Sequence, residues 1–476
     1  MRRIFGMALA VLLLGNSVEA AQVQGNEIFA DAGASTEKVL ESAKDYYEQG
    51  RVLLSDQSKR MDAIECFSKA IEIDPDYIPA YKVRIELYMM SKKFDLALKD
   101  MNTVLEKPLD SKDKANFHYE RGLYFEKSGD HSGALKDYDK ALEADPKYSY
   151  ASSAKIRVYK TLERYELALA ELDASYEKNS DPERRAIYHH QRATILVRSD
   201  KIEGAIVECT KAVENNPAYA HAYELRASLY QKMQNYEFAL SDATKAIEEI
   251  SSPIASPYLL RGAILREMGD IEGAISNYTK AIEINPLSRR NRFDFYSDIG
   301  KYDLALADIE IMIKENPSVE SNYSVLKGVT LRKSGDLEGA IRVYTQAIEK
   351  RENYFYAYDE RSKAYEEQGR YDLALADYTT LILKNPKSAA CYRGRAEIYY
   401  RMGNTNLAAE DFEKALELIN KDAKSEYFLG EIYENHFKDK EKALVYYRLA
   451  LKNASPIVQK GIIQKAEEAI QRLEGK

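Results

Sequence analysis

The sequence predicts an all-α protein made of one helical hairpin copied about twelve times. Three observations carry this. Alanine returns at Ala63, Ala97, Ala134, Ala168, Ala205, Ala239, Ala274, Ala305, Ala340, Ala374, Ala408 and Ala443, at intervals of 31 to 37 residues and most often 34. A fixed period of that length marks a repeat architecture. Seven residues after many of these anchors stands a second small residue, as in Ala70, Ala141, Ala281, Ala347 and Ala450. Seven residues is two helical turns, so both alanines share one helix face. Between them a larger side chain recurs, as in Phe67, Tyr138, Tyr278, Tyr344, Tyr378, Phe412 and Tyr447, filling the space beside a close helix contact.

The elements follow in order. Arg2 and Arg3 precede an apolar run from Ile4 to Leu14, and Val18-Glu19-Ala20 offers small residues for cleavage. Residues 1–20 therefore read as a secretory signal peptide cut near Ala20, too short for a comfortable membrane span. Residues 21–42 read as a leader to the first helix. Repeats one to seven occupy 43–286 and repeats eight to twelve 287–456. Each has a first helix with apolar and small residues at helical spacing, as in Tyr223-x-x-Arg226-Ala227-x-x-Tyr230 and Tyr392-x-x-Arg395-Ala396-x-x-Tyr399. Turn signals such as Ser128-Gly129-Asp130 and Met402-Gly403-Asn404 close that helix, because glycine adopts the left-handed conformation readily. The second helix carries the anchor. Proline twelve residues beyond it (Pro75, Pro146, Pro217, Pro286, Pro317, Pro386) separates one hairpin from the next. Leu287-Ser-Arg-Arg-Asn-Arg-Phe-Asp294 shortens the start of repeat eight, so either a bend or hinge at 287–300 or a locally irregular but rigid hairpin is expected. Residues 457–476 close the chain. Ile462, Ile463, Ala466, Ala469, Ile470 and Leu473 fall on one helix face there, as a capping helix requires.

The chain resembles the tetratricopeptide-repeat (TPR) family. The resemblance rests on segments such as Gly273-Ala-Ile-Ser-Asn-Tyr-Thr-Lys-Ala-Ile-Glu-Ile-Asn-Pro286 and covers roughly residues 43 to 456. Three departures stand out. Tyrosine replaces tryptophan in the first helices, the unit ending at Pro317 is about three residues short, and Asp56-Gln-Ser-Lys-Arg60 makes an irregular first turn. The resemblance implies a right-handed superhelical solenoid whose concave groove binds protein segments, with no catalytic activity and no cofactor. Some TPR proteins clamp a partner's terminal carboxylate with asparagine eleven residues before the anchor. Here those positions hold Glu86, Leu123, Arg157, Thr194, Ser228, Ala263, Val329, Lys363, Glu397 and Ile432, so a chaperone-adaptor role of that kind is not expected.

Composition agrees with binding rather than chemistry. The formal net charge is −8, and about −9 once the leader is removed. That disfavours nucleic acid and anionic membranes and favours a basic partner, although acidity also simply keeps a long solenoid soluble. Membrane contact is expected only if the signal segment is retained. Cys66, Cys209 and Cys391 lie in distant repeats and read as buried small hydrophobes. No glycine-rich phosphate loop, CxxC, HExxH or GxSxG is present. His190 and His221 should face the groove on adjacent repeats, but two imidazoles make a poor metal site.

The 37 tyrosines are the unusual abundance. Tyr119, Tyr150, Tyr356 and Tyr400 fall where first helices should line the groove, either to contact a partner or to pack against the neighbouring repeat. Leu259, Leu260, Ala263, Val325, Leu326 and Val329 offer an apolar stretch, with docking expected near Leu259 and Val325. Beyond it, Asp359, Glu360, Lys363, Arg393 and Glu397 make a charged one. The expectation is an exported scaffold that captures a partner protein or peptide, in a periplasm or outside the cell, in envelope or secretion-complex assembly. The alternatives are a holdase with a tyrosine-lined groove and, less favoured, an enzyme subunit.

Overall fold

The computed structural model describes residues 42–176, 181–250, 252–317, 320–456 and 459–475. The expected signal peptide and all but the last residue of the leader lie outside them. The described residues form 25 α-helices and no strand. Contacts divide the chain into two compact units, one ending at Lys178 and one beginning at Asn179.

The first unit holds four hairpins: α1 Ala43–Leu53 with α2 Arg60–Ile73, α3 Ile78–Met90 with α4 Phe94–Leu105, α5 Ser111–Ser128 with α6 His131–Ala144, and α7 Ser149–Thr161 with α8 Tyr165–Ser175. The second holds eight: α9 Pro182–Arg198 and α10 Ile202–Asn215, α11 Ala220–Lys232 and α12 Tyr236–Glu248, α13 Ala255–Glu267 and α14 Ile271–Ile284, α15 Arg289–Asp298 and α16 Tyr302–Glu315, α17 Glu320–Lys333 and α18 Leu337–Lys350, α19 Phe355–Glu367 and α20 Tyr371–Lys384, α21 Ala389–Arg401 and α22 Thr405–Leu418, α23 Ala423–Asn435 and α24 Lys440–Asn453. A last helix, α25 Lys460–Glu474, follows. Within each unit every second helix packs on the first helix of the next hairpin. The architecture is an all-α repeat solenoid.

All twelve anchor alanines are 0% exposed. A side chain with only a methyl group lets the paired helices close, and the residue four further on fills the gap. In some hairpins the filler and the first-helix residue it faces compensate in volume. Gly262 faces Tyr278, and a Cβ at Gly262 would meet that ring at 2.9 Å. Where the filler is smaller, as at Ala243 or Cys209, the facing position is Ala227 or Ala193, and all four are buried.

Eleven hairpins turn through one residue in the left-handed conformation, always five before the anchor. It is glycine at Gly129, Gly269, Gly300, Gly335, Gly369 and Gly403, but Lys92, Glu163, Asp200, Gln234 and Lys438 adopt the same conformation at φ 57–59°. The periodicity thus fixes the turn even where its preferred residue is missing. Only the first hairpin differs; there Asp56 caps a short 3-10 turn, Gln57–Lys59.

Residues 287–300 lie inside the second unit, and the division between units falls elsewhere, at Lys178–Asn179. Helix α15 has ten residues and is tied to both neighbours. The Phe295 ring lies 5.5 Å from that of Tyr278, and Arg292 bonds Thr279 behind it and Asp308 ahead. At the far end α25 buries Ala466 and Ala469 against Ala443 and Tyr447, which covers the last hairpin.

Candidate partner-binding face

Ten hairpins carry arginine or lysine thirteen residues before the anchor. In nine of them the partner stands three residues after the anchor, on the second helix. The pairs are Arg84–Asp100, Arg121–Asp137, Lys155–Glu171, Arg192–Glu208, Arg226–Asp242, Arg292–Asp308, Arg361–Asp377 and Arg395–Asp411, with Asn277 accepting from Arg261 in the ninth. The arginine also reaches backwards. Its free Nη1 donates to a polar side chain on the preceding second helix: Ser68 from Arg84, Asn102 from Arg121, Thr210 from Arg226, Thr345 from Arg361. One guanidinium therefore joins both helices of its hairpin to the hairpin before. A planar fork of donors suits this; at the lysine position the Lys155 ammonium makes the same link as a point charge, to Glu171 at 2.6 Å and back to Asp139 at 2.8 Å.

The same arginines account for much of the tyrosine. Arg361 lies 5.5 Å from the Tyr358 ring centroid and 5.8 Å from that of Tyr365, and Arg395 lies similarly between Tyr392 and Tyr399. Tyrosines three before and four after an arginine on a helix cover its charge with aromatic faces.

With that side of each first helix occupied, the opposite side forms a face. Consecutive first helices touch at α5–α7, α9–α11, α11–α13 and α17–α19. Residues fifteen before one anchor meet residues eighteen before the next. Tyr119 lies 6.0 Å from Tyr150, and His190 stacks 6.3 Å from His221. The expected adjacency of the two histidines is thus present. Around them α9, α11 and α13 enclose a recess of about 360 Å³, lined by His190, His221, Glu224, Leu225, Ser228 and Leu260. Burial, and next the neighbouring His221, push the His190 imidazole down to about 4. Among the described residues no group of three His, Cys, Asp or Glu side chains could hold a metal ion.

The other expected contact residues divide. Tyr150 (64% exposed) and Tyr356 (46%) project from the face. Tyr119 is half-buried against Tyr138, Tyr148 and Tyr150. Leu259 is half-buried against Tyr278 and Phe295. The expectation for Val325 is corrected: it is 0% exposed, in a cluster with Tyr344 and Ala357, and has no surface to offer a partner. Leu260 is half-buried like Leu259, Ala263, Leu326 and Val329, and it lines the recess. The charged stretch is largely spent internally. Arg393 bonds Asp422, Lys424 bonds Glu397, and Glu360 is buried between Arg332 and Lys363. Tyr400 donates to Glu431. The three cysteines are free and buried, and burial raises the Cys209 thiol to about 12.

The arginine pairs and Tyr148 were not singled out from sequence. The signal was available: opposite charges sixteen residues apart, recurring in eight of the twelve repeats.

Stacked helical hairpins with small buried anchors, left-handed turns and an open face of first helices define an α-solenoid of the interaction type. Family comparison matches tetratricopeptide repeats at residues 115–148, 255–286 and 360–423. The chain carries tetratricopeptide repeats. It is 28% identical over 191 residues to the Hsp70-Hsp90 organizing protein of Triticum aestivum, a match covering 39% of this chain and 32% of that protein. To the DnaJ homolog subfamily C member 7 homolog of Dictyostelium discoideum it is 32% identical over 181 residues, covering 35% and 32%. The chain thus matches about a third of the length of these relatives. Among solved structures, yeast Tom70 is similar over 91% of this chain and 96% of that one, at 16% identity and a TM-score of 0.42.

Proposed function

We propose that this chain is an exported scaffold that holds a segment of another protein against the face of its first helices. The observation that carries the reading is the recess between α9, α11 and α13, where His190 and His221 stand beside Leu225 and Leu260 on three successive hairpins. An apolar floor with a few polar groups on a rigid array suits capture of a peptide segment. Its tetratricopeptide repeats, of a kind that binds proteins, support the same reading. Export rests on Arg2, Arg3, the apolar run Ile4–Leu14 and the small residues before Ala21. A role in envelope or secretion-complex assembly fits an exported scaffold.

The test is a crosslinked pull-down from the native compartment, with the mature chain and its Leu260→Asp variant as baits. One saturable partner held by the wild type and lost by the variant is the expected result. Equal recovery on both baits, or none on either, rejects the reading. Export is checked separately by the mass of the chain isolated from cells, which should begin near Ala21.

A further inference from the structure

The first unit carries a feature on its face that is packed on the core at one side and exposed at the other. Tyr119, Tyr148 and Tyr150 form a triangle of rings with centroids 5.6, 5.6 and 6.0 Å apart. Tyr150 is largely exposed. Tyr148 donates its hydroxyl to Asn116 Oδ1 at 2.9 Å, and the Asn116 amide donates to Glu120 Oε1 at 3.1 Å. This relay fixes Glu120 beside the rings with a neutral partner only. Lys82, whose charge acts on Glu120, is itself engaged by Asp113 at 2.6 Å. The neighbouring pair Arg157–Glu126 is likewise satisfied. Glu86, on the preceding first helix, has its carboxyl raised by burial and adds a second negative charge without a cation.

An oriented carboxylate beside exposed aromatic faces is complementary to an ammonium or guanidinium, which gains an ion pair and a cation–π contact together. We infer that the Tyr119–Tyr148–Tyr150 cluster with Glu120 receives a lysine or arginine side chain of the bound protein segment. This rests on the binding role proposed above and names the partner's chemistry: a basic segment. The chain's net charge of −8 favours the same partner. Burial, and next Glu86, raise the Glu120 carboxyl to about 7, so an incoming cation also relieves a strained charge.

The test uses the full mature chain and a fluorescein-labelled decapeptide of alternating lysine and glycine, read by anisotropy, with the glutamate–glycine counterpart as control. The expected result is saturable binding of the basic peptide alone, weakened about tenfold or more by Glu120→Gln and by Tyr150→Phe,Glu120→Gln together, and similarly by Tyr150→Ala. Tyr150 is exposed and Glu120→Gln is isosteric, so circular dichroism should match wild type. Exposed Glu352→Gln is the control for general charge and should bind normally. Wild-type affinity in Glu120→Gln and Tyr150→Ala, or equal binding of the acidic peptide, overturns the inference. If that occurs while the pull-down still captures a Leu260-dependent partner, only this subsite falls. Loss of both results removes the binding role itself.

Discussion

Arg361 donates to both carboxylate oxygens of Asp377, at 2.9 and 2.6 Å, and to Thr345 Oγ1 of the preceding hairpin at 2.9 Å. The pair is nearly buried, yet each charge is met by geometry as well as sign. A repeat protein touches only its neighbours, so its cohesion depends on the coupling across each junction. The arginine ladder supplies such a coupling at a fixed place in most hairpins.

Arg361→Met should therefore destabilise the protein by about 3–5 kcal/mol, because it strands a buried carboxylate. Arg361→Met with Asp377→Leu should recover most of that loss. Denaturant unfolding of the two variants is the check; a double variant no better than the single would mean that the contact to Thr345 dominates.

The turn residues give a prediction of opposite sign. Gln234 sits at φ 59° where six other hairpins place glycine. Gln234→Gly should stabilise by about 1 kcal/mol, since a side chain in the left-handed region is strained. The converse, Gly335→Ala at φ 90°, should destabilise by at least as much. Thermal melts of both variants read the effect.

His190 should make stability depend on pH. Its folded value of about 4 lies below the ordinary 6.5, held there by burial and by His221. The unfolded chain therefore binds the extra proton first. Stability falls as pH drops from about 6.5 toward 4, by at most about 1.4 kcal/mol per pH unit. The facing groups are His221, Glu224 and Tyr219, whose hydroxyl lies 3.4 Å from His190 Nδ1. His190→Gln should flatten this part of the profile; an unchanged profile would place the titration elsewhere.

The anchors test the fold itself. Enlarging Ala205 or Ala374, both fully enclosed, to leucine should cost about 1–3 kcal/mol through overpacking. A neutral result in denaturant titration would mean that the paired helices have room to separate there.

By itself the sequence determined the hairpin, its number, its turn and its buried anchors. These depend on local spacing: two alanines on one face, one left-handed residue between helices and a terminal amphipathic face. Sequence did not decide which groove positions are free. Val325 and His190 occupy the same register, fifteen residues before an anchor, yet one is sealed in the core and the other lines a recess. The difference lies in what the neighbouring hairpin places opposite, a matter of volumes brought together only by stacking. The same holds for Arg393, whose charge Asp422 takes up, and for Glu120, whose hydrogen-bond partner is the neutral Asn116 amide. Periodicity fixes which side of a helix a residue is on; only packing across the junction between repeats decides whether its chemistry is already spent.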